Sequence, residues 1–347
     1  MPALRLVNVT NDYILRNVNL EVKDKELFVL LGPSGSGKTT LLKAIAGLIK
    51  YRGNIFFDDE AIDGLPPERR CVGYLPQNLV LFSHMTVASN VGYSLRIRER
   101  PKNEVENRVD ELLEMMGISH LKDRYPKDLS GGEQQRVALA RVLASEPKIF
   151  LLDEPFNSLD PKTAGQLRLE LKRIQKNIGI TTVLVTHNLA EAEEMSDKVG
   201  IFYNGELLQA SSLNELIFSP NEKFSSIIGT MNVLRCDRYD VLEGFAKTEC
   251  EGLRLLVPFD GHPIRKVAIS SKDILISAER IYGPSINLYQ GTVLESLEQG
   301  SNVILRIKVE DGPVLTSEVS KEIYSSQGLS VGKKVHVKIK LKTIRTR

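Results

Sequence analysis

Cysteine is scarce: only Cys71, Cys236 and Cys250 occur, odd in number, far apart, and without the paired C-x-x-C spacing of a structural zinc site. Three reduced thiols of a cytosolic protein are expected. No apolar run reaches the roughly 18 residues that a membrane span needs. Nor is Met1-Pro2-Ala3-Leu4-Arg5 followed by the apolar stretch of a secretory signal. The sequence thus predicts neither a spanning segment nor secretion by that route. An excess of one charge sign is missing too. Lys and Arg number 46 against 44 Asp and Glu, leaving +2, too little to draw the whole chain onto nucleic acid or an anionic bilayer. No fixed-period repeat is present. What is present is ordinary globular material, 42% hydrophobic and 26% charged, which excludes disorder and collagen-like fibres. At 347 residues the chain exceeds the usual size of one domain, so two are expected.

To about residue 220, short apolar runs alternate with amphipathic helical patterns, the rhythm of a sheet covered by helices. The runs 27–31, 149–152 and 182–185 read as strands buried on both faces. Val105, Val109, Leu112 and Met116 recur at helical spacing, as do Leu167, Leu171 and Ile174. The second of these helices has Asp160 as N-cap and Pro161 in its first turn. After Asn221 the pattern changes to short strands with Gly, Asp and Asn turns, so residues 1–230 and 231–347 are expected as separate domains, the second all-β. Within it, Asn302 to Val309 reads as one strand of a hairpin and Val335 to Lys342 as a strictly alternating last strand. A helix is expected from about Ser317 to Ser326, stopped by Gly328. The last 15 residues hold seven Lys or Arg and no acid. Lysines on the outer face of a terminal strand keep a sheet edge soluble and unpaired, and that reading is preferred to a phosphate-binding patch. No nucleic-acid partner is expected.

Gly32-Pro33-Ser34-Gly35-Ser36-Gly37-Lys38-Thr39 fits G-x-x-x-x-G-K-[ST], directly after the strand ending at Leu31 and before a helical pattern with Leu41, Ile45 and Leu48, and Thr40 beside it is expected among the nucleotide-binding residues. Its glycines let backbone N–H groups turn inward around phosphate oxygens, and the helix N-terminus adds its positive dipole end. Lys38 supplies a point charge to the β- and γ-phosphates, and the Thr39 hydroxyl completes the coordination of Mg²⁺. The run 149–152 ends in Asp153-Glu154, and packing gives no reason for two carboxylates there. Asp153 can hold Mg²⁺ through its water shell, and Glu154 can polarise the water attacking the γ-phosphate. Thr186-His187-Asn188 closes another strand, placing His187 where a neutral imidazole can bond the γ-phosphate and orient that water.

Leu129-Ser130-Gly131-Gly132-Glu133-Gln134-Gln135-Arg136 precedes a further helix. With the phosphate loop it resembles the ATP-binding subunit of ABC transporters, in which LSGGQ-like residues complete the site of the opposite subunit. Free N–H groups, a hydroxyl and the helix dipole at Ser130, Gly131 and Gly132 suit an anion, and one chain already has its own phosphate loop. The economical arrangement is a head-to-tail dimer with two ATP molecules at its interface. The resemblance covers 1 to about 230 and implies further assignments: Tyr13 stacking on adenine, Gln77 as the Q-loop residue beside Mg²⁺, Asp160 in the D-loop, His187 as the switch histidine. It implies an α/β P-loop nucleotide-binding domain with a helical subdomain at about 85–135, whose groove takes a coupling helix from membrane permease subunits. Leu81, Phe82 and Met85 are expected to be exposed there, with Ser83 replacing a commoner Pro and Asn188 a commoner Asp.

The segment 267–277 is similar to part of the C-terminal domains of maltose- and oxyanion-type importer ATPases. Residues 287–347 resemble the oxyanion-binding barrel of molybdate and tungstate importers, an OB-like, TOBE-type regulatory domain. The implied protein is a peripheral ATPase on the cytoplasmic face of the cell membrane. It would serve a system with an extracellular solute-binding protein and bind a regulatory oxyanion at its C-terminal domain. Molybdate or tungstate is the expected cargo, with sulfate, sugar, polyamine and iron left open. A soluble ABC ATPase acting on DNA or ribosomes would carry two ATPase halves or a long coiled-coil insert, and neither is present. A non-catalytic anion sensor is disfavoured because Glu154 and His187 are both present.

Overall fold

The computed structural model describes residues 1–218, 225, 229–281 and 284–347. The chain divides into two compact units, Met1–Leu213 and Asn214–Arg347. That division precedes the expected boundary near 230, and Asn221, where the sequence pattern changes, lies outside the described residues.

The strands of the first unit are, in chain order, β1 (Leu4–Thr10), β2 (Val18–Val22), β3 (Leu27–Leu31), β4 (Arg52–Phe57) and β5 (Glu60–Ala61), then β6 (Val72–Leu75), β7 (Ile149–Asp153), β8 (Thr181–Thr186), β9 (Lys198–Tyr203) and β10 (Glu206–Ser211). Its helices are α1 (Lys38–Ile45), α2 (Val87–Val91), α3 (Tyr93–Ile97), α4 (Lys102–Met115), α5 (Gly131–Leu143), α6 (Pro161–Ile178) and α7 (Leu189–Met195). One sheet is antiparallel, in the order β2-β1-β4-β5; the other, β10-β9-β3-β8-β7-β6, is parallel except for its β9–β10 pair. Every residue of β3, β7 and β8 is buried, as their unbroken apolar runs require of parallel strands covered on both faces. Phe28 and Leu30 of β3, Leu41 and Ile45 of α1, and Leu151 and Val183 belong to one core cluster.

Asp160 caps α6 through its Oδ1, which accepts from the N–H groups of Lys162 and Thr163, and Gly179, at φ +67°, ends that helix. Helices α2 to α4 occupy 87–115, and α5 begins at 131 and runs on to Leu143. Leu81, Phe82 and Met85, expected to be exposed, are half-buried. The Phe82 ring lies 4.6 Å from that of Tyr93 and 5.2 Å below the Arg141 guanidinium. Buried Asn90 donates to the carbonyls of Phe82, Met85 and Thr86 and fixes this loop.

The second unit is all antiparallel: β11 (Met231–Leu242), β12 (Phe245–Cys250), β13 (Leu253–Pro258), β14 (Lys266–Ser270), β15 (Ile274–Ser277), β16 (Leu288–Gln299), β17 (Asn302–Val309), β18 (Val314–Ser320), β19 (Lys334–Ile339) and β20 (Arg345–Thr346). They form two five-stranded sheets, β13-β12-β11-β14-β20 and β15-β19-β16-β17-β18. Leu234, Ala246 and Val267 of the first share one core with Val293, Leu305 and Val337 of the second, the packing of an OB-like barrel. Gln299 pairs with Asn302 across the two-residue turn Gly300-Ser301.

Three further expectations need correction. The helix expected from Ser317 begins only at Lys321, because Leu315, Ser317 and Val319 alternate inward as a strand and Ser320 supplies the cap. The last alternating strand stops at Ile339, and β19 lies between β15 and β16, so its lysines do not protect a free edge. Finally, Cys236 and Cys250 are not free thiols. They face each other in the β11–β12 register, 4.0 Å apart at Cα, and form a disulfide, leaving Cys71 as the free cysteine, exposed.

Candidate active site

The phosphate loop joins β3 to α1. A Cβ on Gly32 would lie 2.1 Å from the Phe202 carbonyl oxygen, and Gly37 adopts φ +105°, closed to ordinary side chains. The Ser36 hydroxyl is buried without a hydrogen-bond partner, which is unusual for a buried polar atom and marks a loop built to be completed by a polar ligand. The loop borders a cleft of about 250 Å³ that Thr39, Thr40, Gln77, Glu154 and Ile14 also line. Lys38 is 4% exposed, and its Nζ donates to the carbonyls of Gly32 and Pro33 at 2.8 and 2.9 Å. Burial pulls its pKa below the ordinary lysine value, while the carboxylates of Glu154 and Asp153 push it back up.

Asp153, at the end of β7, is 2% exposed. Its Oδ1 accepts from Thr39 Oγ1 at 2.9 Å and its Oδ2 from the Tyr74 hydroxyl at 3.2 Å. Burial raises the Asp153 pKa and these two bonds oppose the rise. Burial, then the adjoining carboxylate, holds the Tyr74 phenol above its usual pKa, so it remains a donor. Glu154 takes a left-handed φ of 47°, and its N–H donates to the Val185 carbonyl at 3.0 Å. Its Oε2 accepts from Asn157 Nδ2 and, at 3.5 Å, from Gln77 Nε2; its Oε1 lies 3.3 Å from His187 Nδ1. His187 follows β8, where Thr186 Oγ1 donates to the buried Glu191 carboxylate at 2.6 Å; burial raises the Glu191 pKa. Asn188 caps α7 by accepting from the Ala190 N–H, so the replacement of Asp keeps the cap.

Thr39 and Asp153 are hard oxygen donors beside the phosphate loop, and no group of three or more His, Cys, Asp or Glu able to hold a metal occurs among the described residues. The two oxygen donors fit Mg²⁺, which takes one or two protein oxygens and completes its shell with phosphate and water.

The structure thus brings together residues 32–40, Gln77, Asp153, Glu154 and His187. It does not bring Ser130, Gly131, Gly132, Glu133 or Asp160 into that cleft. Ser130 instead caps α5 in a capping box: Glu133 N–H donates to Ser130 Oγ, and the Ser130 N–H and hydroxyl both donate to Glu133 Oε2. Those two bonds to Ser130 hold the Glu133 carboxyl below its usual pKa. A Cβ on Gly132 would lie 2.8 Å from Thr163 Cγ2, so the starts of α5 and α6 adjoin. Tyr13 is 90% exposed, on a loop held by Asn11 Oδ1, which accepts from the N–H groups of Tyr13, Ile14 and Leu15. Sequence reasoning missed Tyr74, Asn157, Ile14 and the Thr186–Glu191 pair. The one available clue was their position within three residues of a motif.

The family description "ABC transporter" matches residues 15–157 and "TOBE domain" matches 287–344. The Molybdate/tungstate import ATP-binding protein WtpC of Thermococcus kodakarensis is 41% identical over 86% of this chain and 90% of its own length. The Spermidine/putrescine import ATP-binding protein PotA of Roseobacter denitrificans is 37% identical over 95% and 93%. Among solved structures, cbiO1 from Clostridium perfringens, part of the ABC transporter complex cbiONQ, is similar with TM-score 0.58 and 32% identity over 61% of this chain and 89% of its own. The ATP-binding cassette MJ0796, a dimer in a post-hydrolysis state bound to ADP and Pi, gives 0.54 and 33% over 60% and 98%. This chain belongs to the ATP-binding subunits of ABC importers: it is an ATPase of that family with a C-terminal TOBE domain.

Proposed function

We propose that the chain powers import of molybdate or tungstate, working as a head-to-tail homodimer on permease subunits at the cytoplasmic face of the membrane. An extracellular solute-binding protein feeds the system. The cargo rests on one observation: three relatives named for molybdate/tungstate import are 35–41% identical to this chain, two of them over 98–99% of it. Relatives named for spermidine/putrescine and sulfate/thiosulfate import match over 95% and 93%, so cargo is the claim to test. Deleting the gene in its host and measuring tungstate, sulfate and spermidine uptake separates them. Loss of tungstate uptake alone supports the reading, and loss of either other solute replaces it.

In the catalytic cycle, the loop N–H groups of residues 32–40 and Lys38 hold the ATP phosphates, and Tyr13 stacks on adenine. Glu154, oriented by Gln77 and His187, takes a proton as water adds to the γ-phosphorus and the bond to the β–γ bridging oxygen breaks, leaving ADP and phosphate. Thr39, Asp153 and Gln77 would hold Mg²⁺, which would supply positive charge against the triphosphate. Ser130, Gly131, Gly132, Glu133 and Asp160 act on the nucleotide of the partner. Among the described residues no helix is long and apolar enough to cross a membrane.

The same oxyanion acts as a regulatory ligand at the second unit. The TOBE match over residues 287–344 supports that reading. Calorimetry of the full chain with tungstate checks it, and absence of heat beyond that of a sulfate control defeats it.

A further inference from the structure

We infer that Tyr74 is a positioning residue for Asp153, tying the carboxylate assigned to Mg²⁺ to the strand that carries Gln77. The inference rests on the site reading above. β6 is the edge strand of the parallel sheet, and its register sets Tyr74 level with Leu151 of β7. Asp153 lies two residues further along β7, on the same face as Leu151 and roughly 6.6 Å up the strand. A tyrosine side chain is long enough to cover that gap along the sheet, and its hydroxyl ends 3.2 Å from Asp153 Oδ2.

Each oxygen of this carboxylate therefore has its own donor. Thr39 takes Oδ1 from α1, and Tyr74 takes Oδ2 from the opposite side. A carboxylate held by one oxygen alone can swing about its Cβ–Cγ bond; held by both, it keeps one plane. Thr39 uses its hydroxyl proton for Asp153 and keeps lone pairs for a metal, so only the Tyr74 bond is free of the phosphate side. Three residues after Tyr74 comes Gln77, which lines the cleft and reaches Glu154. A shift of β6 moves Gln77 and the Asp153 carboxylate together.

The test is Tyr74→Phe, which keeps the ring and removes the hydroxyl, in the full chain carrying Glu154→Gln to stop turnover. Mn²⁺ serves as the probe, titrated by electron paramagnetic resonance with a non-hydrolysable ATP analogue present. The half-saturating Mn²⁺ concentration should rise about three- to tenfold, as loss of one hydrogen bond of ordinary net strength implies. Analogue binding in EDTA should stay unchanged. An unchanged Mn²⁺ titration overturns the inference, even if the melting temperature falls, because that outcome is purely structural. If the parent protein itself shows no metal-dependent analogue binding, the site reading fails, and the inference with it.

Discussion

Two oxygens of Glu154 meet three side chains, Asn157, Gln77 and His187. Replacing the carboxylate with an amide of the same size removes the proton acceptor and leaves the phosphate loop untouched. Glu154→Gln should therefore lower phosphate release about 10²- to 10⁴-fold with nucleotide binding retained, measured by single-turnover phosphate release and by fluorescence of a labelled ATP. Glu191 supplies a pH dependence. Its pKa is raised from 4.5 by burial, so above pH 4.5 the unfolded chain loses the proton first and the folded state holds the excess. Stability then falls as pH rises, until the raised pKa is passed. Glu191→Gln can still accept the Thr186 bond, and urea unfolding from pH 4.5 upward should show a flatter decline. Some slope remains, since Asp153 is shifted in the same direction. Lys38, Asp153, Glu154 and His187 were legible in the sequence because each closes or opens an element whose apolar run marks its place. Tyr74 and Asn157 were not, because their partners follow from strand register and from a turn, which spacing along the chain does not encode.

At the scale of elements, strand identity was readable from alternation, but pairing order was not. β19 alternates as the sequence suggests, yet it lies inside a sheet, and only the pairing of β15 and β16 on its two sides reveals that. The same register dependence hides the disulfide: Cys236 and Cys250 are 14 residues apart and meet only because the β11–β12 hairpin sets them opposite. Closing a loop of that length restricts the unfolded chain. Reduction, or the double change Cys236→Ser with Cys250→Ser, should lower the stability of the second unit by about 2–4 kcal/mol, read from urea unfolding followed by circular dichroism. An unchanged midpoint would mean that the bond adds nothing to the paired strands. The helix start at Ser130 is a different kind of element feature, read from the sequence as an anion site and not as a cap. In the structure Ser130 and Glu133 secure the first turn of α5 as a capping box, and Ser130 and Gly131 are exposed.

For the whole molecule, the proposed nucleotide site has two halves that do not meet within one chain. The phosphate loop, Gln77 and Glu154 share one cleft, and Ser130 lies outside it. In the proposed homodimer a second copy related by a two-fold axis would supply the missing half twice over, each protomer giving its Ser130 helix start to the other's loop. This arrangement makes a prediction that no single-chain site can meet. Lys38→Ala disables the loop, and Ser130→Arg blocks the helix start, so each variant alone should be inactive. Mixed in equal amounts and allowed to exchange, half of the dimers are hetero-pairs. Each hetero-pair holds one doubly damaged site and one intact site, built from the Lys38 of one protomer and the Ser130 of the other. Phosphate release should therefore recover to about a quarter of the wild-type rate, provided that one intact site turns over by itself. If the sites fire only in concert, the mixture stays inactive but retains one tightly bound nucleotide per hetero-pair, countable by filter binding. A mixture that neither hydrolyses nor retains nucleotide would show that Ser130 and Lys38 do not face one another across a dimer.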